Sequence, residues 1–341
     1  MRWRSMHIAN GTLPFEEGWE VLSLKLSDFY GLRLSIVRQS KNPLAQTKTS
    51  NKVVLQDVAT ARQYLLKERP IYLTKEKICF SVEVVIQCSV RSSLMVPVLA
   101  GKSGDRHFVH NGKYYVLMPM LVGEHLWSPT QDDAYFIGQE LACLHEVMRS
   151  SNTSGFKGVE LSSDLKEFSK LVTDNTIGLE HELHVFNRLI EQLACSTEYS
   201  QVIHGDISPS NLLLDKSNDF VFLDFDNISI GSIYYDLASL CQTFAHLKYQ
   251  ANSSHLTGEQ SLDINTSIVE SLIAGYSSRS TPIEVEAFIQ HYHLVWLEHM
   301  LLGALREDFT RDKAKRWASH FDYIKDQVLN CFQEKSNVST V

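Results

Sequence analysis

Apolar and polar residues follow two different rhythms along this chain, and the change of rhythm divides it. In the first third the apolar runs are short. Residues 32–37, 53–58, 63–67, 94–99 and 113–117 each read as a strand, and Asn111-Gly112 supplies a tight turn before the last. Two segments interrupt them with helical spacing. Over 17–30, Trp19, Leu22, Leu24, Leu26 and Phe29 recur at roughly helical intervals. Over 75–90, Ile78, Val82, Val85 and Ile86 share one face, with Cys79 beside them. Residues 1–16 carry no rhythm and read as irregular.

Past Met118-Pro119-Met120 the period lengthens to that of a helix, so the boundary between two lobes falls there: 1–118 and 119–341. Pro119 has no N–H and stiffens the connection. Helices are predicted over 132–150, 177–195, 235–249, 268–276, 282–302 and 313–332. In the first, Ile137, Leu141, Leu144 and Val147 form one face, and Gly138 with Ala142 allows a second helix to approach closely. In the next, Leu179, Leu183, Phe186, Ile190 and Leu193 keep the period. Gly258 and the cluster 277–281 punctuate the later helices, and the polar segment 334–341 reads as a frayed end. The expected architecture is α+β and bilobal, a small β-rich N-terminal lobe on a larger, mainly helical C-terminal one. A chain of 341 residues suits two lobes around a cleft.

Composition adds limits. The chain is 44% hydrophobic and 21% charged, an ordinary balance for a globular protein with a sizeable core. A net charge of −8 argues against nucleic acid or an anionic membrane surface as partner and is compatible with a cationic substrate. The six cysteines form no CxxC pair and are scattered through apolar segments, which favours reduced thiols over a disulfide framework or a zinc site. No apolar run reaches membrane-spanning length, and the two arginines near the N-terminus have no apolar stretch behind them. A cytoplasmic protein is expected; nothing in the pattern fixes an oligomeric state.

The chemistry concentrates in residues 201–240. Val202-Ile203 leads into His204-Gly205-Asp206, and a turn of Ser208-Pro209-Ser210 delivers Asn211. Two short apolar strands follow, 212–214 and 220–223, joined by the polar 215–219. Folding that hairpin about Ser217-Asn218 sets Asn211 opposite Asp224. A carboxamide and a carboxylate then meet at its open end with Asp206 just upstream, a set of hard oxygens suited to Mg²⁺ beside a phosphate.

His204-Gly205-Asp206 followed by Asn211, Asp224-Phe225-Asp226 and Tyr235-Asp236-Leu237-Ala238 together resemble the aminoglycoside phosphotransferase and choline kinase group, which includes homoserine-kinase-like enzymes and has the protein-kinase-like bilobal fold. Leu141-Ala142-Cys143-Leu144-His145 matches that group's Leu-Ala, Leu-His helix. The resemblance spans roughly 32–300 and is strong over 138–145 and 201–240. It implies an ATP- and Mg²⁺-dependent kinase acting on a hydroxyl of a small molecule, of aminoglycoside, amino-alcohol, homoserine or sugar type. Asp206 is then the catalytic base; with an ordinary Asp pKa near 4, it orients the hydroxyl and takes the proton late. Asn211 and Asp224 are the implied Mg²⁺ ligands and Asp226 a secondary acid. His204 buttresses the loop, and Asp236 either caps its helix or braces the catalytic loop.

The N-terminal lobe must supply a cation for the phosphates. Lys67 ends a strand pattern, and Glu83 follows on the next helix at a distance that suits a Lys–Glu ion pair. Residues 50–52 (Ser-Asn-Lys) are a candidate phosphate turn, since the chain has no GxGxxG there. Met118 and Met120 are expected to meet adenine through their backbone. Only a short run separates Asp224 from Asp236, too short for a peptide-docking activation segment, which argues against a protein kinase. A catalytically silent relative would lack one of Lys67, Asp206, Asn211 or Asp224, and all four are present. His181 with His184, and His291 with His293, lack a third ligand for zinc. Cys143 sits in an apolar helix pattern and reads as a packed thiol. In the resembling family the C-terminal helices often line the acceptor pocket, and Glu284, Glu286 and Glu298 lie there with Trp296, the first two reading as a solvated helix face; which of these residues meets the acceptor is left open.

Overall fold

In a computed structural model of the protein, residues 19–39, 52–70, 72–175, 178–194, 199–245, 264–306 and 310–333 are described. Five strands build an antiparallel sheet in the order β1–β2–β3–β5–β4: β1 Leu34–Gln39, β2 Lys52–Asp57, β3 Gln63–Glu68, β4 Phe108–His110 and β5 Lys113–Pro119. The β4–β5 turn has both central residues in the left-handed region, Asn111 at φ 49° and Gly112 at φ 72°, as a two-residue hairpin requires. Helix α1, Trp19–Tyr30, closes one face, where Leu22 and Leu26 meet Val53, Leu55, Leu66 and Leu117 in a small core of their own. Helix α2, Lys75–Ser89, is capped by Thr74, whose hydroxyl accepts from the Lys77 N–H. It packs against the C-terminal part, and buried Lys77 forms an ion pair there with buried Asp164.

The expected strand at 94–99 is not one. Phe222 N–H donates to the Leu94 carbonyl, while Leu99 N–H donates to Leu117. One end of the segment is therefore held by the hairpin over 212–222 and the other by the N-terminal sheet, and it completes a ladder with neither. Its apolar residues are a consequence of burial between the two parts, which a strand pattern cannot be told from.

The remainder is helical around two small sheets. In chain order it runs β6 Gly123–His125, α3 Gln131–Arg149, α4 Leu161–Asn175, α5 Glu180–Ala194, β7 Ser200–Ile203, β8 Leu212–Asp215, β9 Phe220–Phe222, β10 Ser229–Ser232, α6 Ile233–Ala245, α7 Thr266–Ser277, α8 Val285–Leu305, α9 Arg311–Ser319 and α10 Phe321–Gln333. The sheets are β6–β8–β9 and β10–β7. This is the expected α+β, kinase-like bilobal arrangement, with the catalytic segment on β7 through α6. Among the described residues no helix is long and apolar enough to cross a membrane. The five described cysteines, all but Cys195, are free thiols; Cys143 is partly buried against the core.

Three helical expectations need correction. Helix α4 was not expected, although Leu161, Leu165, Phe168 and Val172 bury one face at 4-3-4 spacing in an otherwise polar stretch. The single helix expected over 313–332 is two, broken at His320, where the Trp296 indole N–H takes the Trp317 carbonyl. Helix α8 starts at Val285 rather than 282 because the Glu284 carboxylate caps it, accepting from the Ala287 N–H at 2.6 Å. The expected irregular segment 1–16, and the extensions over 177, 195, 246–249 and 334–341, lie outside the described residues.

Helices α3 and α7 touch through glycine. A Cβ on Gly138 would lie 2.2 Å from the Leu272 carbonyl oxygen, and one on Gly275 only 1.9 Å from that of Tyr135. Helix propensity alone would favour alanine at Gly275 by about 1 kcal/mol. We expect the opposite sign: Gly275→Ala should cost about 1–3 kcal/mol through overpacking, read as a lower urea midpoint at unchanged slope.

Candidate active site

The site rests on Asp236, which lies in the first turn of α6 rather than at its cap. Its carboxylate is wholly buried and accepts the backbone N–H groups of His204 (2.7 Å) and Gly205 (2.8 Å). His145 Nε2 donates to it at 3.1 Å, and His145 Nδ1 accepts the Tyr276 hydroxyl at 2.8 Å. Burial pushes the Tyr276 phenol up, so it stays a proton donor. Gly205 has φ 77°, and a Cβ there would stand 2.3 Å from the Asn227 carbonyl oxygen. Only glycine fits this bend between β7 and the catalytic loop.

From this anchor the loop is set by its own hydrogen bonds. His204 Nε2 donates to the Leu223 carbonyl (2.9 Å), and its Nδ1 accepts the Asp206 N–H (3.3 Å), the buttressing role expected of it. Asn211 Nδ2 donates to the Asp206 carbonyl at 2.8 Å, which leaves the Asn211 Oδ1 as the oxygen to offer a metal. Asn227, which the sequence reading passed over, donates from Nδ2 to Asp206 Oδ2 at 3.3 Å and holds the carboxylate. The only signal for it was its place after Asp226.

The hairpin register differs by one residue from expectation. Leu212 pairs with Phe222 and Leu214 with Phe220, so Asn211 faces Leu223, whose N–H donates to the Asn211 carbonyl (2.8 Å). The loop has three residues, 216–218, with Asn218 at φ 63° and the Asp215 carboxylate accepting the N–H groups of Ser217 and Asp219. An odd-numbered loop centres on Ser217, not between Ser217 and Asn218. Asp224 follows at φ 65°, a left-handed turn that swings its carboxylate toward the N-terminal sheet.

There Lys67 Nζ lies 2.6 Å from Asp224 Oδ1 and 2.6 Å from Asp226 Oδ2, and Lys52 Nζ lies 3.5 Å from Asp224 Oδ2. Burial alone would raise the Asp224 carboxyl, but Lys67 and then Lys52 outweigh it and hold the group far below the usual carboxylate range. Asp224 in turn raises the Lys52 ammonium. The expected Lys67–Glu83 pair is absent: Glu83 accepts from Gln87 Nε2 one turn along α2. On β3, alternation brings Lys67 and Arg69 to the same side, and Arg69 Nη1 reaches Asp226 Oδ1 at 2.7 Å. Arg69 was not anticipated. Of the candidate phosphate turn, Ser50 and Asn51 lie outside the described residues and Lys52 begins β2. Met118 lies in β5 opposite Leu65, and the Met120 N–H is taken by the Gln63 carbonyl at 3.0 Å, so adenine could meet that N–H only if this bond opened.

A pocket of about 340 Å³, open solvent at its mouth included, lies beside the loop. Gly205, Asp206 and Ile207 form one wall, Tyr235, Ser239 and Thr243 of α6 another, and Glu298, His299 and Leu302 of α8 the third. Glu298 is 5% exposed and accepts the Tyr235 hydroxyl at 2.6 Å; burial raises its carboxyl. Glu284 caps α8 instead. Among the described residues no group of three or more His, Cys, Asp or Glu side chains could hold a metal, the two histidine pairs included. Asn211 Oδ1 and the Asp224 carboxylate are each a hard oxygen of the kind Mg²⁺ takes, an ion that keeps water and substrate phosphate as further ligands.

A loop carrying Asp206 and Asn211 after a strand, a hairpin that ends at Asp224 and a lysine brought across from a small antiparallel sheet are the arrangement of a kinase-like fold. The model of the phosphotransferase enzyme family matches residues 44–255, more than half of the chain, and the chain belongs to that family. Solved structures agree in fold. An amicoumacin kinase in complex with AMP-PNP and Ca²⁺ is 12% identical with a TM-score of 0.65, covering 91% of this chain and 94% of its own. A microcompartment-associated aminopropanol kinase is 18% identical at 0.61, covering 93% and 98%. A choline kinase from Cryptosporidium parvum is 13% identical at 0.62, covering 87% and 90%. No curated protein matches the sequence.

Two outcomes follow from this geometry. Asp236→Asn should cost about 1.5–3 kcal/mol in denaturant unfolding, because it weakens charge-assisted bonds to buried N–H groups. Asp224 is held ionised in the fold, so its contribution is present above the unfolded Asp pKa of about 3.9 and is lost as pH falls below that value. Stability measured from pH 7 down to pH 3 should therefore decline less steeply in Lys67→Met than in the unsubstituted protein.

Proposed function

We propose that the protein transfers the γ-phosphoryl group of ATP to a hydroxyl of a small, amine-bearing molecule. The observation that carries this reading is the pocket beside Asp206, which shares that carboxylate with buried Glu298 while Asn211, Asp224 and Lys67 gather on the other side of the loop. Asp206, held by Asn227, orients the acceptor hydroxyl and receives its proton late in the transfer. Asn211 Oδ1 and Asp224 would hold Mg²⁺, which would supply positive charge against the phosphates. Lys67, with Lys52 behind it, turns from Asp224 to the phosphates. The nucleotide lies between the lobes 1–118 and 119–341, with adenine near Met118 and Met120.

The acceptor's amine is argued from Glu298. Burial of a carboxylate is costly unless a partner compensates it. An ammonium entering the pocket meets Glu298 and Asp206 together, whereas a neutral polyol brings no charge to set against the two carboxylates. The names of the aminopropanol and choline kinases that share the fold are in keeping with this. ATP as donor, free thiols and the lack of a spanning helix among the described residues agree with a cytoplasmic setting.

The test is an ATP-consumption screen with mass detection of phosphorylated product, over amino alcohols (choline, ethanolamine, 1-amino-2-propanol, homoserine), aminoglycosides, sugars and the matching deaminated alcohols. Amine-bearing acceptors should be turned over and their deaminated partners poorly. Asp206→Ala should lower kcat by about 10²–10⁴-fold, and Glu298→Gln should raise KM for the amine acceptor by about tenfold or more with little change for ATP. Turnover of no alcohol by a protein that binds Mg·ATP, with Asp206→Ala indistinguishable, would falsify the enzymatic reading.

A further inference from the structure

The N-terminal lysine of this site is not held by a carboxylate from helix α2. Both acids of that helix are otherwise placed: Glu76 is exposed in its first turn, and Glu83 is bonded to Gln87. The buried polar residues α2 turns inward are Lys77, paired with Asp164, and Ser81. The counter-charge comes from Asp226 in the C-terminal part. This carboxylate is 4% exposed and spends one oxygen on each of two buried cations, Oδ2 on Lys67 at 2.6 Å and Oδ1 on Arg69 Nη1 at 2.7 Å. Arg69 Nη2 then donates to Ser81 Oγ on α2 at 2.5 Å. A continuous run of polar contacts joins α2, β3 and the Asp224–Asp226 segment, with Lys67 in the middle.

Asp224 also touches Lys67, but Asp224 has a second demand on it as the proposed metal ligand. A carboxylate that binds a divalent cation is a weaker partner for an ammonium. Asp226 is the partner that remains, and Arg69 fixes it with a planar guanidinium whose two ends reach different elements. We propose that Arg69 and Asp226 form a positioning unit for Lys67. Asp226 is the counter-ion that aims the Lys67 amine at the nucleotide phosphates, Arg69 fixes Asp226, and the bond to Ser81 ties that aim to the placement of α2. The inference rests on reading Lys67 as the phosphate-binding cation and goes beyond it by assigning what directs that cation.

The test is binding of a fluorescent ATP analogue by the full chain, once with Mg²⁺ and once in EDTA, for Lys67→Met, Arg69→Met, Arg69→Lys, Asp226→Asn and Ser81→Ala. Each of Arg69→Met and Asp226→Asn is combined with Lys67→Met in a double-mutant cycle. Arg69→Met and Asp226→Asn should weaken binding roughly tenfold or more, with the larger loss in Mg²⁺, where Asp224 is engaged. Arg69→Lys should recover only part, and Ser81→Ala should lose severalfold. In the Lys67→Met background neither substitution should weaken binding further, since both act through that amine. If a single variant fails to fold, the neutral pair Arg69→Met with Asp226→Leu removes both charges together and should show the same dependence on Lys67. Undiminished losses in the Lys67→Met background would show a merely structural role and overturn the proposal. Unchanged binding in Lys67→Met itself would overturn the reading of Lys67, and the proposal with it.

Discussion

The wholly buried carboxylate of Asp236 is the constraint on which the site depends. It takes two successive backbone N–H groups, at His204 and Gly205, where the chain leaves β7 and has no ladder partner to satisfy them. Leaving such donors unpaired in the interior would cost roughly 1–3 kcal/mol each. The carboxylate is itself charged and buried, so it needs His145, and His145 needs Tyr276. These residues lie on α6, α3 and α7, the last two pressed together through Gly138 and Gly275. Packing of three helices is thereby converted into the direction of one loop, and through Asn227 and Asn211 into the direction of Asp206.

The second organising feature is a division of charge between the two parts. Lys52, Lys67 and Arg69 come from the N-terminal sheet, and Asp224 and Asp226 from the turn after β9. These charges form ion pairs with one another. The Asp224 carboxyl is depressed because two amines compensate its burial. Under the proposed function a divalent cation would take the place of the amines at Asp224, and phosphate oxygens would offer those amines new partners. The Lys77–Asp164 pair belongs to neither set of exchangeable contacts and continues to join α2 to α4 throughout.

Much of this was legible in the chain. The strands and the long helices follow from period, and Asp206, Asn211, Asp224 and Lys67 from motif and strand pattern; the structure brings all four around one loop. What was misread shares a physical cause, dependence on a partner that local sequence does not show. The 94–99 segment is apolar because it is wedged between two parts, and a wedge has a strand's composition. Helix α4 hides because its buried face mixes polar residues, Asp164 and Ser169, with the apolar ones, and these are buried only through partners on other elements. The hairpin register turned on whether the loop held an odd or even number of residues, which Asn218 in a left-handed turn decides. Arg69 and Asn227 carry no motif; each matters only through the carboxylate it meets.

The Glu83 expectation failed for a more specific reason, and it bears on how such sites are read. Counting residues from Lys67 across a loop places Glu83 along α2 but does not fix which way it faces, since one position of helical phase turns a side chain by about 100°. Glu83 is two positions from Ser81, the residue that does face β3. The chemistry demanded that Lys67 have an anionic partner; it did not demand that the partner lie on α2. Once Arg69 stands two residues after Lys67 on the same side of β3, a carboxylate on α2 would be shared between two cations and drawn away from the lysine. A carboxylate entering from the opposite side, with one oxygen for each cation, satisfies both. Asp226 is in that position because the left-handed turn at Asp224 brings the next two residues beneath the sheet. The same backbone turn therefore carries both carboxylates that meet Lys67, Asp224 and Asp226.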